Sequence, residues 1–297
     1  MTAVVDVPVP APPAVNRSRS ARGSLLRWVV LTVCGVYFLV PLAFAFWFTV
    51  RRPRGGGVSG SAYSQLFTTA PNGQFGIGTA LLTSLGLAAV TIVITLLLMV
   101  PTQLLLHLRY PRVRPVVEVL SLLPLVFPPV VLVVGVSDTF TWTGDHLTGP
   151  LASLITGLRD PGFPVVLALL YVVLALPFAY RALDAGIRSI DAHTLTEAAQ
   201  NLGAGWPAVV WRVVLPSLRT AVVNAAFLCF ALVMGEYTIA SILLYTKPFP
   251  VWLVQLPTTS GQVQVAASVL SLLVVELLLL LIGALNWRRA ARHGRTS

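Results

Sequence analysis

Apolar residues in this chain come in long uninterrupted runs, separated by short segments rich in Gly, Pro, Ser and Arg. A helix rises about 1.5 Å per residue, so about 20 apolar residues are needed to cross the hydrocarbon core of a bilayer. Six stretches meet that length, at roughly 25–49, 78–106, 116–137, 162–181, 217–244 and 263–287. The run from Trp28 to Val50 holds 23 residues without a charge, which is longer than the apolar region of a cleaved signal peptide, and it reads as a retained first span. The pattern therefore predicts an all-α fold, a polytopic bundle of six transmembrane helices in a lipid bilayer. An even number of spans puts both termini on one side. Positive residues concentrate on the cytoplasmic side. With both termini inside, fifteen basic residues fall in cytoplasmic segments and five outside, namely Arg51, Arg52, Arg54, Arg159 and Lys247. The RRPR cluster at 51–54 opposes the rule locally.

Composition agrees with this pattern. The chain is 56% hydrophobic and 10% charged, against about 25% charged for a soluble domain. Its net charge of +10 raises the question of nucleic acid, but 19 of the 20 basic residues are Arg and they flank apolar spans instead of forming one face. No nucleic-acid partner is expected. Cys34 and Cys229 lie within apolar runs and read as packing residues. Residues 1–24, rich in Pro, Ala, Ser and Arg, read as a disordered cytoplasmic tail, residues 25–287 as the membrane domain, and 288–297 as a basic cytoplasmic tail. The outer loops, 50–77, 138–161 and 245–262, are too short for a folded domain, so capture of a solute outside the membrane would need another polypeptide. Pro101, Pro124, Pro128, Pro129 and Pro177 fall inside the spans. They read either as ordinary kinks or as bends that shape a pathway.

The longest cytoplasmic segment, 182–216, is polar enough to stand apart. Thr194 followed by Glu197 fits a capping box, in which hydroxyl and carboxylate satisfy each other's backbone donors. The first helix is expected to run to about Leu202, with a turn at Gly203 and Gly205 and a second helix from Trp206-Pro207 to Val213. Leu215-Pro216 then stops that helix and starts the fifth span. Ala198, Ala199, Leu202, Trp206 and Trp211 give this helix-turn-helix an apolar surface. Such a surface suits either docking into a groove on a soluble partner or resting at the lipid headgroups.

Glu197-Ala198-Ala199, Gly203 six residues after the Glu, then Val213, Leu215 and Pro216, resemble the EAA loop of binding-protein-dependent ABC importer permeases of type I. Every spacing of that family's pattern is present, and Val213 replaces the usual Ile. The resemblance covers about residues 78–285, with an additional span before it. The segments PLVFPPVVLVVG and ALPFAYRALDAGIRSID are similar to permeases of spermidine/putrescine-type importers, a branch near those for ferric iron, thiamine and phosphonates. The resemblance implies that Glu197, Ala198, Ala199, Gly203, Leu215 and Pro216 form the coupling loop. It also implies two cytoplasmic ABC ATPase subunits, a second permease subunit, more in keeping with a different chain than with a copy, and an extracytoplasmic substrate-binding protein. No cofactor is expected on this chain; ATP and Mg would be used by the partner ATPase. The implied location is the bacterial plasma membrane.

Three acidic residues fall within spans, where a charge is costly and usually faces an interior or a cavity. Glu118 lies near the cytoplasmic end of its span, Glu236 towards the outer face, and Glu276 near mid-membrane. Glu236, Tyr237 and Thr238 form a candidate substrate pathway that would suit a polyamine or similar small cation. The alternative is that Glu236 is a packing carboxyl, with Gly235 allowing close helix approach. Glu276, among leucines, reads as a packing or subunit contact. Ferric iron, thiamine, phosphonate or an inorganic anion remain alternative solutes.

Enzyme chemistry finds no motif here. His107, His146, His193 and His293 are scattered, and there is no HExxH, CxxC or Walker sequence. No catalytic residue and no metal site is expected. A membrane transferase using Asp138 and Asp145, or a pore without energy coupling, are the readings from other classes.

Overall fold

The structure is a computed structural model that describes residues 17–52, 57–68, 75–146, 149–158, 163–256 and 261–293. The chain runs through α1 (Arg17–Val50), α2 (Ser61–Thr68), α3 (Ile77–Leu108), α4 (Arg114–Val126), α5 (Pro129–His146), α6 (Pro150–Gly157) and α7 (Val165–Ser189). It continues through α8 (Ala192–Asn201), α9 (Trp206–Val209), a π-helical turn (Val210–Val214), α10 (Leu215–Ser217), α11 (Arg219–Gly235), α12 (Thr238–Ile242), α13 (Phe249–Val254) and α14 (Gly261–His293).

Three helices, α3, α7 and α11, make the centre of the bundle and pack most extensively on one another. Their buried stripes explain why. On α3 the inward positions Ala80, Ser84, Ala88, Thr91 and Thr95 recur every three or four residues, while Leu82, Leu97 and Leu98 on the other side are exposed. On α7 and α11 the buried stripes include Ala168, Ala175 and Ala179, and Ala221, Ala225 and Cys229. Between helices in lipid there is no hydrophobic gain from association, so small residues that let backbones approach closely hold the bundle together. Buried polar contacts add to this: Phe249 N–H donates to the Ser84 hydroxyl at 2.8 Å, and Trp252 Nε1–H donates to the Phe75 carbonyl at 3.2 Å.

The first helix stands apart. Along Trp28–Trp47 its large side chains are exposed, and it rests against α14 and α2. It begins at Arg17, eight residues ahead of the expected span, whereas residues 1–16 of the expected tail lie outside the described residues. At the other end α14 continues through His293, so helix extends into the expected basic tail; residues 294–297 of it lie outside the described residues.

By length and composition, Arg27–Val50, α3 and α7 can each cross a membrane. Two further expected spans are bent. The stretch expected as one helix at 116–137 breaks between α4 and α5, which meet at 89°. Phe127 there is extended (φ −87°, ψ 129°) because the following proline excludes the helical conformation for the residue before it, and Pro129 then opens α5. The fifth expected span, 217–244, meets the preceding helical segment at 68° near Leu218 and ends as a regular helix at Gly235. Pro101, Pro124 and Pro177, by contrast, sit inside continuous helices.

Two segments expected as outer loops are more structured than loops. Within 245–262, α13 buries Phe249, Val251 and Trp252, and Phe249 and Trp252 pack with Leu66, Ile77 and Ala80 in one apolar cluster. Within 50–77, α2 buries Ala62 and Leu66.

Candidate functional site

The segment expected as a loop at 182–216 starts later than its sequence suggests, because α7 remains helical to Ser189. Asp191 then takes a left-handed conformation (φ 46°), which Asp adopts more readily than most residues, and α8 follows at once. The expected capping box does not form. Thr194 lies inside α8, where its hydroxyl donates to Asp191 Oδ2 at 2.7 Å, and Glu197 pairs with His193 one turn back at 3.4 Å.

The turn after α8 forms as the glycine predicted. The N–H of Gly203 donates to the Gln200 carbonyl at 2.8 Å and that of Ala204 to the Ala199 carbonyl at 3.0 Å. Together these are the two bonds of a Schellman termination, with Gly203 at φ 85° in the position that favours glycine. A side chain at Gly203 would enter open space, so only the backbone demands glycine within this chain.

Beyond the turn, Trp206-Pro207 opens α9 as expected. Leu215-Pro216 does not stop the helix. A wide turn forms at Val210–Val214, in which Leu215 N–H reaches back to the Val210 carbonyl, and helix continues past Pro216 to Ser217. Pro216 has no N–H to give the preceding turn, which the wide turn before it accommodates, and the Ser217 hydroxyl bonds its own i−4 carbonyl, Val213, at 2.8 Å.

Glu197, Ala198, Leu202, Gly203 and Trp211 are exposed on this hairpin, with Leu202 at 89% and Trp211 at 70%. Ala199 and Trp206, expected on the same surface, are partly buried instead, Ala199 against the main core. Leu215 is half-buried and Pro216 exposed on the returning arm. Between α8 and the end of α3 lies a polar groove of about 320 Å³, lined by Arg109, His193, Thr196, Glu197, Gln200 and Trp206 among others.

Directly behind the hairpin sits a cluster absent from the sequence-based candidates. Asp184 on α7 is largely buried and meets two guanidinium donors, Arg114 Nη2 on α4 at 2.6 Å and Arg188 Nη2 at 2.7 Å; His107 Nε2 on α3 lies 3.0 Å from the same carboxylate without forming a hydrogen bond. His107 Nδ1 is 2.9 Å from the Gln103 carbonyl one turn back, and Gln103 Nε2–H donates to the Tyr180 carbonyl at 3.4 Å. The pairing of Asp184 with Arg188 at i,i+4 was readable as a helical ion pair; the partners on α3 and α4 are remote in sequence.

The other candidate residues lie away from the hairpin, beyond the far end of α11. Glu236 is extended and half-buried, and its Oε1 accepts the N–H of Ile239 at 2.7 Å, so the carboxylate caps α12. Its carbonyl accepts the Tyr171 hydroxyl at 3.4 Å. Tyr237 is exposed and Thr238 half-buried. Gly235 has open space beside it, so the close helix approach expected there is absent within this chain. Glu118 is half-buried on α4, and Glu276 is exposed on α14.

Residues 107–292 match the family described as binding-protein-dependent transport system inner membrane component. The chain belongs to this family. It is the non-enzymatic, multi-pass membrane component of an ABC importer, with ATP hydrolysis on a separate subunit and with ATPase and substrate-binding proteins as its general partners. The molybdenum transport system permease proteins ModB of Mycobacterium tuberculosis and Mycobacterium bovis are each 32% identical over 272 residues, covering 88% of this chain and 94% of theirs. The fold also matches the crystal structure of a bacterial ABC transporter that imports the acidic polysaccharide alginate, with a TM-score of 0.57 and 17% identity over 92% of this chain and 99% of that one.

Proposed function

We propose that this permease carries a small tetrahedral oxyanion of the molybdate class inwards across the bacterial plasma membrane. The observation that carries the reading is the near full-length similarity to molybdenum permeases, 32% identity over 94% of their length. The polyamine expectation loses its physical support as well: Glu236 is engaged in capping α12, and Glu276 points outward from the chain. The cation expectation rested on the likeness of two segments to spermidine/putrescine-type permeases, with Glu236 as its candidate pathway residue. The expectation that the second permease is a different chain came with the polyamine likeness; co-purification of differently tagged copies of this chain distinguishes the two assemblies.

In this reading the hairpin α8–α9 faces the cytoplasm. Glu197, Ala198 and Gly203 meet a cleft of the ATPase, Ala199 braces α8 against the bundle, and Leu215 and Pro216 fix the returning arm. Two ATPase subunits bind ATP with Mg and close, moving the hairpins of two permease subunits and opening the pathway towards a docked binding protein. Hydrolysis resets the pathway inward. Titration of the cognate binding protein with molybdate, sulfate and putrescine tests the substrate: tight binding of molybdate supports the reading, and tight binding of putrescine alone overturns it.

A further inference from the structure

Among its described residues, α4 has one fully buried residue, Ser121, and its outer face of Val116, Val119, Leu120 and Leu123 is exposed. Its inner face packs along α7, with Val117 against the main core, so apolar packing holds α4 to the bundle without a large buried stripe. The start of α4 adds a directed tie to this packing, the Arg114–Asp184 contact, a charge-assisted bond at 2.6 Å with the carboxylate 13% exposed. The same carboxylate meets His107 near the end of α3. Residues of α3 and α4 thus converge on one carboxylate of α7, seven residues before Asp191, where α7 turns into α8.

The downstream geometry gives the contact a consequence. Beyond α4 lies the 89° break at Phe127, then α5, and α5 packs against α12, the helix capped by Glu236. A push on α8 reaches α7 through the backbone and α3 by direct packing, and the Arg114–Asp184 contact passes the displacement of α7 to α4 and the break beyond.

We propose that Asp184 is a positioning residue for energy coupling, a carboxylate latch that moves α3, α4 and α7 as one unit and delivers displacement of α8 to the α4–α5 break. The inference rests on the reading of α8–α9 as the ATPase-facing hairpin. Arg188 is the internal control: it contacts Asp184 as closely as Arg114 does, but from the same helix, so it joins nothing to anything else.

The test uses the complete transporter, reconstituted in proteoliposomes with its ATPase and binding protein, and measures molybdate moved per ATP hydrolysed. Arg114→Gln is expected to leave the complex assembled and hydrolysing ATP while lowering that ratio at least tenfold. Asp184→Asn should act in the same direction, Arg114→Lys should recover part of the ratio, and Arg188→Gln should stay within twofold of the parent. An unchanged ratio in Arg114→Gln overturns the proposal, as does an equal loss in Arg188→Gln. Loss of assembled complex in both Arg114→Gln and Asp184→Asn overturns it too, since the contact would then be a fold determinant. If the parent complex moves no molybdate, the substrate reading fails separately, and the same variants are read by stimulation of ATPase activity by the binding protein.

Discussion

Gly186 lies where α7 crosses α11, and a Cβ there would fall on the methyl group of Ala221. Gly186→Ala should therefore force the helices apart, at a cost of about 1–3 kcal/mol typical of overpacking. Thermal unfolding of the purified permease should show a lower midpoint, restored in part by adding Ala221→Gly; an unchanged midpoint would mean the crossing is looser than described. Gly203 makes the opposite case, with a positive φ and open space around it. Gly203→Ala should cost about 1–2 kcal/mol in the turn and leave uptake largely intact. Gly203→Asp suits the same backbone but puts a charge on the docking face, and should abolish uptake and weaken ATPase association. Full uptake by Gly203→Asp would contradict the coupling assignment. These two glycines also differ in legibility. Gly203 was readable because a Schellman turn is a local pattern, whereas Gly186 matters only through Ala221, 35 positions away.

At the scale of elements, the prolines show where sequence reading succeeds and fails. Pro101, Pro124 and Pro177 leave their helices continuous, while Pro128-Pro129 turns the chain by 89°. The difference is the tandem: Phe127 is extended before Pro128, and Pro129 opens a new helix at once, whereas each single proline leaves its helix continuous. The end of α11 was hidden for a different reason. MGEYTIAS reads as continuing span, but the Glu236 carboxylate caps α12 and so starts a new helix at Thr238. This makes a separable prediction. Glu236→Gln retains an acceptor and should keep most uptake, whereas Glu236→Ala loses the cap, costs about 1 kcal/mol, and should reduce uptake by more. If Gln and Ala are equally damaging, the charge itself is what the site requires.

For the whole molecule, the fold class was legible because bilayer thickness fixes the length of an apolar run, and no soluble architecture produces so many of them. Membership of the importer family was legible in the spacing of Glu197, Ala198, Ala199 and Gly203. The solute was not. Glu236 suited a cation because sequence shows that a carboxylate is present but not what it touches. Similarly, the Asp184 cluster joins α3, α4 and α7 across chain separations that no local pattern encodes. The central claim is that this permease imports an oxyanion by coupling α8–α9 to a separate ATPase. The direct measurement is uptake of labelled molybdate into proteoliposomes containing the complete transporter. The expected result is accumulation that requires ATP and is lost in Gly203→Asp; accumulation without ATP, or equal accumulation by that variant, would contradict this mechanism.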